Sequence, residues 1–266
     1  MKIIKGIYKL FLLSGLIIFS SCEKEIELDL RSVEPQLVIE GTIPFNSLAK
    51  VRLTTSIDFF SDSNYIPVEG AIVTVADNTG NSDVLRLMPS GYYESDNIIG
   101  VEGRTYNLTV ELDGKMYTST STMPYSIPID SMSMFYVPAF GEAYPMIHFI
   151  DPKGIENYYR HIFYLNGKRM VGIDLSSDEN RDGKLISRIM PYESESNNDE
   201  KIKKGDTISI ETRFIDKGVY TFFRDLARMG SSLANPTSNI NGGVLGHFSA
   251  YSYSKTTMII VDDWKE

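Results

Sequence analysis

From Pro35 onward the chain is built of short stretches in which apolar and polar residues alternate, each closed by turn-forming residues. "QLVIEGTI" (36–43), "AKVRLTTS" (49–56), "AIVTVADNTG" (71–80), "DVLRLM" (83–88), "YNLTVEL" (106–112) and "MYTSTSTM" (116–123) all show a period of two. Successive side chains of a strand point to opposite faces, so this period predicts strands with one buried face. Their regular spacing predicts a β-sandwich. Asp113-Gly114, between the last two stretches, predicts a two-residue hairpin turn.

Three pieces stand in order along this half: "VEGAIVTV" (68–75), "GYY" (91–93) and "GRTYNLTV" (103–110). Together they resemble a transthyretin-like or carboxypeptidase-regulatory-type immunoglobulin-like sandwich. "MPYSIPID" (123–130) carries two prolines and no periodicity, and reads as a junction. Strand-like stretches resume at 132–136, 146–149, 160–165, 170–173, 185–190, 207–214 and 249–261. One segment differs. "DKGVYTFFRDLARMG" (216–230) places Val219, Phe222, Phe223, Leu226 and Met229 at helical spacing, with Asp216 at its start and Gly230 as a stop. The fold class expected is therefore mainly β, with two sandwich-like domains at 35–125 and 126–266, the second carrying one amphipathic helix.

Ahead of these domains, Lys2, Lys5 and Lys9 flank an apolar run, Leu10 to Phe19, too short to span a bilayer. Ser20 and Ser21 then precede Cys22, the single cysteine of the chain. The arrangement resembles the signal and lipobox of bacterial lipoproteins, and implies removal of residues 1–21 and lipidation of Cys22. With its only thiol used as an anchor, the chain has none for disulfides, metal clusters or nucleophilic catalysis. Residues 22–34 form an acidic tether, with Glu23, Glu25, Glu27 and Asp29 next to the anchor. That start resembles the signal that sends lipoproteins of the Bacteroidota to the outer face of the outer membrane. The net charge of -9 becomes more negative once three lysines leave with the signal, which argues against nucleic acid as a partner.

The chemistry-bearing motifs are few. "DENRDG" (178–183) matches the first half of an EF-hand loop, but the position that needs a bidentate acid is Ile189. An Asx-rich turn between two strands accounts for Asp178, Asn180, Asp182 and Gly183 without an ion. His148, His161 and His247 are scattered, and no Gly-x-Ser-x-Gly elbow or phosphate-cradling glycine loop occurs. Trp264 is the only tryptophan, whereas tyrosine is plentiful; Tyr158, Tyr159, Tyr251 and Tyr253 suit half-buried strand positions. Asp130-Ser131-Met132 and Asp206-Thr207-Ile208 match a three-residue acceptor pattern for O-glycosylation of exported proteins. No catalytic residue, metal ligand or cofactor site is predicted, although acids contributed by separate strands leave no local signature.

"NPTSNINGGVLGHFSAYS" (235–252) stands out, together with "IENYYRHIFYLNG" (155–167) and "KKGDTISIETRFIDKGVYTFFRDL" (203–226). With "CEKEIELDL" and "PQLVIEG" near the start, these stretches resemble a family of Bacteroidota outer-membrane lipoproteins, a domain-of-unknown-function group typically encoded beside TonB-dependent receptors. The glycines at 242, 243 and 246 call for positive φ or close backbone approach, and Asn235-Pro236 favours an extended lead-in. Asn235, Pro236, Asn241, Gly242, Gly243 and Gly246 are accordingly the candidate binding loop; a tight crossover packed on the helix is the structural alternative. The family pattern commonly has an aromatic residue at the position of His247. The resemblance implies a non-enzymatic component anchored to the outer membrane and exposed at the cell surface, with a TonB-dependent receptor as its partner and no ligand specified. A surface glycan or peptide hydrolase is the alternative.

Overall fold

A computed structural model describes residues 34–56, 67–139, 141–192, 202–230 and 234–261. The signal segment, Cys22, the tether up to residue 33 and Trp264 lie outside the described residues. Pro35–Glu266 forms one compact unit. Its strands in the first half are β1 (Leu37–Pro44), β2 (Leu48–Thr55), β3 (Ile72–Asp77), β4 (Ser82–Val84), β5 (Arg86–Leu87), β6 (Tyr92–Ile99), β7 (Thr105–Leu112) and β8 (Lys115–Thr122). Then follow β9 (Ser131–Val137), β10 (Glu142–Ile150), β11 (Tyr158–Leu165), β12 (Lys168–Arg169), β13 (Asp174–Ser177), β14 (Leu185–Ile189) and β15 (Thr207–Ile215). The helix α1 (Lys217–Ala227), β16 (Ile240–Asn241) and β17 (Leu245–Ile259) follow, the last of the described elements.

Among the described residues three sheets result, and the fold is mainly β with sandwich-like layers, as the alternation predicts. The longest runs β12-β11-β15-β17-β1-β2-β6-β5, with β13 also paired to β11. A five-stranded sheet runs β16-β8-β7-β3-β4, and a three-stranded one β14-β10-β9. One core joins Ile39, Val51 and Leu53 of the long sheet to Val73, Leu108 and Val110 of the five-stranded sheet. Another joins Tyr159, Phe163, Ile208 and Phe214 to Ile147, Phe149 and Ile186 of the three-stranded sheet. Within it the Tyr159 ring meets Phe149 edge-on, with centroids 5.2 Å apart. The expected junction places one residue in each core: Met123 in the first and Ile127 in the second.

The chain nevertheless crosses the boundary expected near residue 125, because Ile240, Val244, Phe248 and Ala250 return to the first core. The element responsible is β17. Its residues 245–251 run parallel to β1, and residues 252–259 run antiparallel to β15. A single fifteen-residue strand thus carries the long sheet from one sandwich into the other. Of the expected loop 235–246, residues 240–241 and 245–246 are strand, and the strand expected from 249 begins four residues earlier, at Leu245.

Other expectations need local correction. The stretch 83–88 is divided: β4 pairs with β3 and β5 with β6, so the chain changes sheet at the buried Leu85. Residues 170–173 are not a strand; Gly172, with φ +111°, interrupts the alternation, and Met170 turns into the second core. Asp113-Gly114 forms the hairpin as predicted, with φ +50° and +73°. Asn166-Gly167 makes a second hairpin of the same kind, joining β11 to β12.

Candidate functional site

Helix α1 forms because its start is capped and its apolar stripe has somewhere to go. Asp216 Oδ1 accepts the Val219 N–H at 2.9 Å, satisfying one of the unpaired donors of the first turn. Val219, Phe222 and Phe223 bury against Tyr158, Ile215 and Tyr251, making a small third core on the long sheet. The opposite stripe, Lys217, Tyr220, Thr221, Arg224 and Arg228, is left to line a cleft of about 740 Å³. The facing wall comes from residues 154–156 and from the turn 177–182, with Asp178, Glu179, Asn180 and Asp182. Tyr158 and Tyr220, with ring centroids 4.8 Å apart, bring aromatic surface between the two. One wall is cationic and the other anionic.

Hydrogen bonds fix both walls. Glu156 accepts from the Tyr158 hydroxyl and, at 3.0 Å, from Lys217 Nζ. These partners hold the Glu156 carboxyl below its ordinary range. On the acidic side the 178–183 stretch is the turn that its Asx content predicts. Asp178 O accepts from Arg181 N at 2.6 Å, and Asn180 and Gly183 take φ +65° and +69°.

The turn also meets a residue the motif did not include. Carboxylate oxygens of Asp151, Asp178 and Asp182 lie within 4.8 Å of one another. Asp151, just after β10, accepts from the Tyr159 hydroxyl and from Gly183 N, and Asp182 Oδ1 accepts from Gly154 N at 2.6 Å. Burial first, then the neighbouring Asp151 and Asp182, push the Asp178 carboxyl above its ordinary range. These three carboxylates are the donor set that a hard cation would use, with Asp151 supplying what Ile189 lacks. In the folded chain their hydrogen bonds hold the cleft's acidic rim.

Residues 23–257 match the family described as "Domain of unknown function (DUF4249)". The chain belongs to this family. No curated protein matches it. The matched span begins one residue after Cys22 and ends at residue 257, so all but the last two residues of the strand that both sandwiches share fall inside the DUF4249 unit.

None of the six candidate residues of the glycine-rich stretch of this DUF4249 member lines the cleft. Asn241 pairs with Thr118 in the short β16–β8 ladder, and Gly242 lies so close to Tyr117 that a Cβ would meet its ring at 2.5 Å. Gly246 packs on β1, where a Cβ would stand 2.0 Å from Ile39 O. Gly243 alone faces open space. What the stretch does structurally is close the free side of β17. Asn239 Oδ1 accepts from Phe248 N at 2.9 Å, and its Nδ2 donates to Phe248 O at 2.8 Å. Ser121 Oγ accepts from Ala250 N at 2.9 Å and donates onward to Asp216 Oδ2. Side chains thus replace the missing neighbour strand, and the last link ties β17 and β8 to the cap of α1.

The histidines do not assemble. His148 lies in the three-stranded sheet between Ser133 and Ser187, at 2.8 and 2.9 Å. His161, in the long sheet, is held by Thr212 and Ser176, and burial lowers it to about 3. His247 stacks on Phe222 with centroids 4.8 Å apart, and burial, with Arg160 nearby, lowers it to about 3 as well. It occupies an aromatic site as an uncharged ring.

Proposed function

We propose that this DUF4249 protein is a lipid-anchored binding component of the outer membrane, held through Cys22, exposed at the cell surface and working beside a TonB-dependent transporter. The observation that carries the binding role is the cleft: about 740 Å³ of space with cations on α1, acids on the facing turn and two tyrosines between. Its volume falls in the range of small-ligand sites. The membrane address and the transporter rest on the Lys-rich start, the apolar run ending at Cys22 and the family resemblance. Purification of the full chain from native outer membrane tests them together. Mass spectrometry is expected to find residues 1–21 removed, acyl chains on Cys22 and a TonB-dependent receptor recovered in proportion. An unmodified cysteine, or recovery without any receptor, counts against the reading.

A hydrolase remains the second reading because carboxylates from separate segments do converge: Asp151 after β10 with Asp178 and Asp182 of the turn. The raised Asp178 carboxyl lines the cleft and is the proton donor such chemistry would use. Turnover of a surface glycan or peptide that is lost in Asp178→Asn would favour it.

A further inference from the structure

We infer that Arg160 and Arg213 form a binding site for a phosphate dianion, on the face of the long sheet just beyond α1. The inference does not depend on the cleft, which neither residue lines. The sheet places the two together. Tyr158, Ile215 and Tyr251 lie under α1 in the third core. Side chains two residues apart along a strand share a face, so Arg160 of β11 and Arg213 of β15 emerge on that same face, directly paired in the register. Tyr253 of β17 pairs with Arg213 and extends the row. Residues opposite each other in an antiparallel pair have Cβ atoms about 5 Å apart, and like charges so placed repel.

Both guanidiniums are held by their flat faces. Cζ of Arg160 stands 3.7 Å from the centre of the Phe223 ring, and Cζ of Arg213 stands 4.4 Å from that of Tyr251. Stacking fixes the plane of the group and leaves its in-plane N–H donors for other partners. Glu211 accepts from Arg213 Nε at 2.6 Å. Arg160 donates to no group among the described residues, and its nitrogens remain open to solvent. Burial first, then Arg213 and Arg169, lower Arg160 to about 9, so its charge is opposed where it stands. Three guanidiniums, its own included, thus act together against the carboxylate of Glu211, an excess of two positive charges. A phosphate dianion matches that excess and brings several acceptor oxygens for the free donors. A carboxylate brings half the charge. The ring of Tyr253, 41% exposed at the end of the row, offers surface to an organic group carried on the phosphate.

The test is calorimetric titration of the purified full chain with inorganic phosphate, phenyl phosphate and acetate, at an ionic strength held constant with chloride. A phosphate is expected to bind at one site per chain, about tenfold or more tighter than acetate. Tightest binding of inorganic phosphate assigns the free anion, and tightest binding of phenyl phosphate assigns an ester. Arg160→Gln is expected to weaken that binding about tenfold, and Arg160→Lys several-fold, since lysine keeps the charge but loses the planar fork. Lys115→Gln, in the β7–β8 hairpin, is expected to leave it unchanged. Circular dichroism melts report whether each variant folds; should Arg160→Gln fail to fold, the affinity of Arg160→Lys decides. Phosphate affinities no tighter than that of acetate, an unaltered affinity in the Arg160 variants, or an equal loss in Lys115→Gln overturns the inference.

Discussion

Gly246 has φ +105° and lies against the backbone of β1, whereas Gly243, three residues earlier, has φ +74° and open space around it. Both conformations disfavour any Cβ, by about 1–2 kcal/mol. Only at Gly246 would a methyl group also collide with main-chain atoms that cannot move without breaking the β1–β17 ladder. Urea unfolding should therefore show Gly243→Ala costing about 1 kcal/mol and Gly246→Ala several times as much. Asn239→Ala removes partners from both the N–H and the C=O of the fully buried Phe248, and a loss of about 2–4 kcal/mol is expected in the same assay. The sequence marked these glycines as backbone devices. It did not reveal their partners, because Ile39 stands some two hundred residues away and Asn239 reads as one polar loop residue among several.

Carboxylates set the acid limit at this scale. Burial pushes Asp77 up, but the hydrogen bonds from Asn81 and Thr79 outweigh it and hold the carboxyl well below the ordinary range. Ser95 and the N–H groups of Asp96 and Asn97 do the same for Asp83, against a smaller effect of burial. A carboxyl depressed in the fold contributes stability that is present above its unfolded value, near pH 4, and is withdrawn as pH falls below it. Stability is expected to decline on acidification below about pH 4, and Asp77→Asn should flatten that decline while lowering stability at neutral pH. Denaturant midpoints measured from pH 7 down to pH 2.5 check the slope.

Among the elements, α1 and the turn facing it decide whether there is a cleft at all. Asp216 both caps the helix and accepts from Ser121, so Asp216→Ala should cost at least about 1–2 kcal/mol, and Asp216→Asn less, because asparagine also caps. Thermal melts of the two variants distinguish these outcomes. The helix was legible in the chain because its period of 3.6 stands among periods of two, and its start was marked by an aspartate. The turn was legible from its Asx content. That the two face each other was not, since the approach depends on β11 pairing with both β13 and β15. Asp151 likewise carries no motif; it joins Asp178 and Asp182 only through the course of β10 and β14. The missed strand β6 has buried Tyr93, Ser95 and Ile98 with polar residues between, a pattern too mixed to stand out. β4 and β5 look like one strand in the sequence because alternation does not record which sheet a residue joins.

For the molecule as a whole, the two sandwiches are not separable pieces. Each takes half of β17 into its sheet, and the ladder that closes the first core is made with β1 from the other end of the described chain. Unfolding is accordingly expected as one cooperative transition, with tyrosine fluorescence and far-ultraviolet circular dichroism giving the same midpoint. Two separated midpoints would show independent domains instead. The order of synthesis adds a further constraint. β1 leaves the ribosome some two hundred residues before β17, so the parallel pair between them cannot form until β17 has followed. The long sheet is thereby kept from closing early on a nascent chain, and it reaches its final form only once β17 has been released.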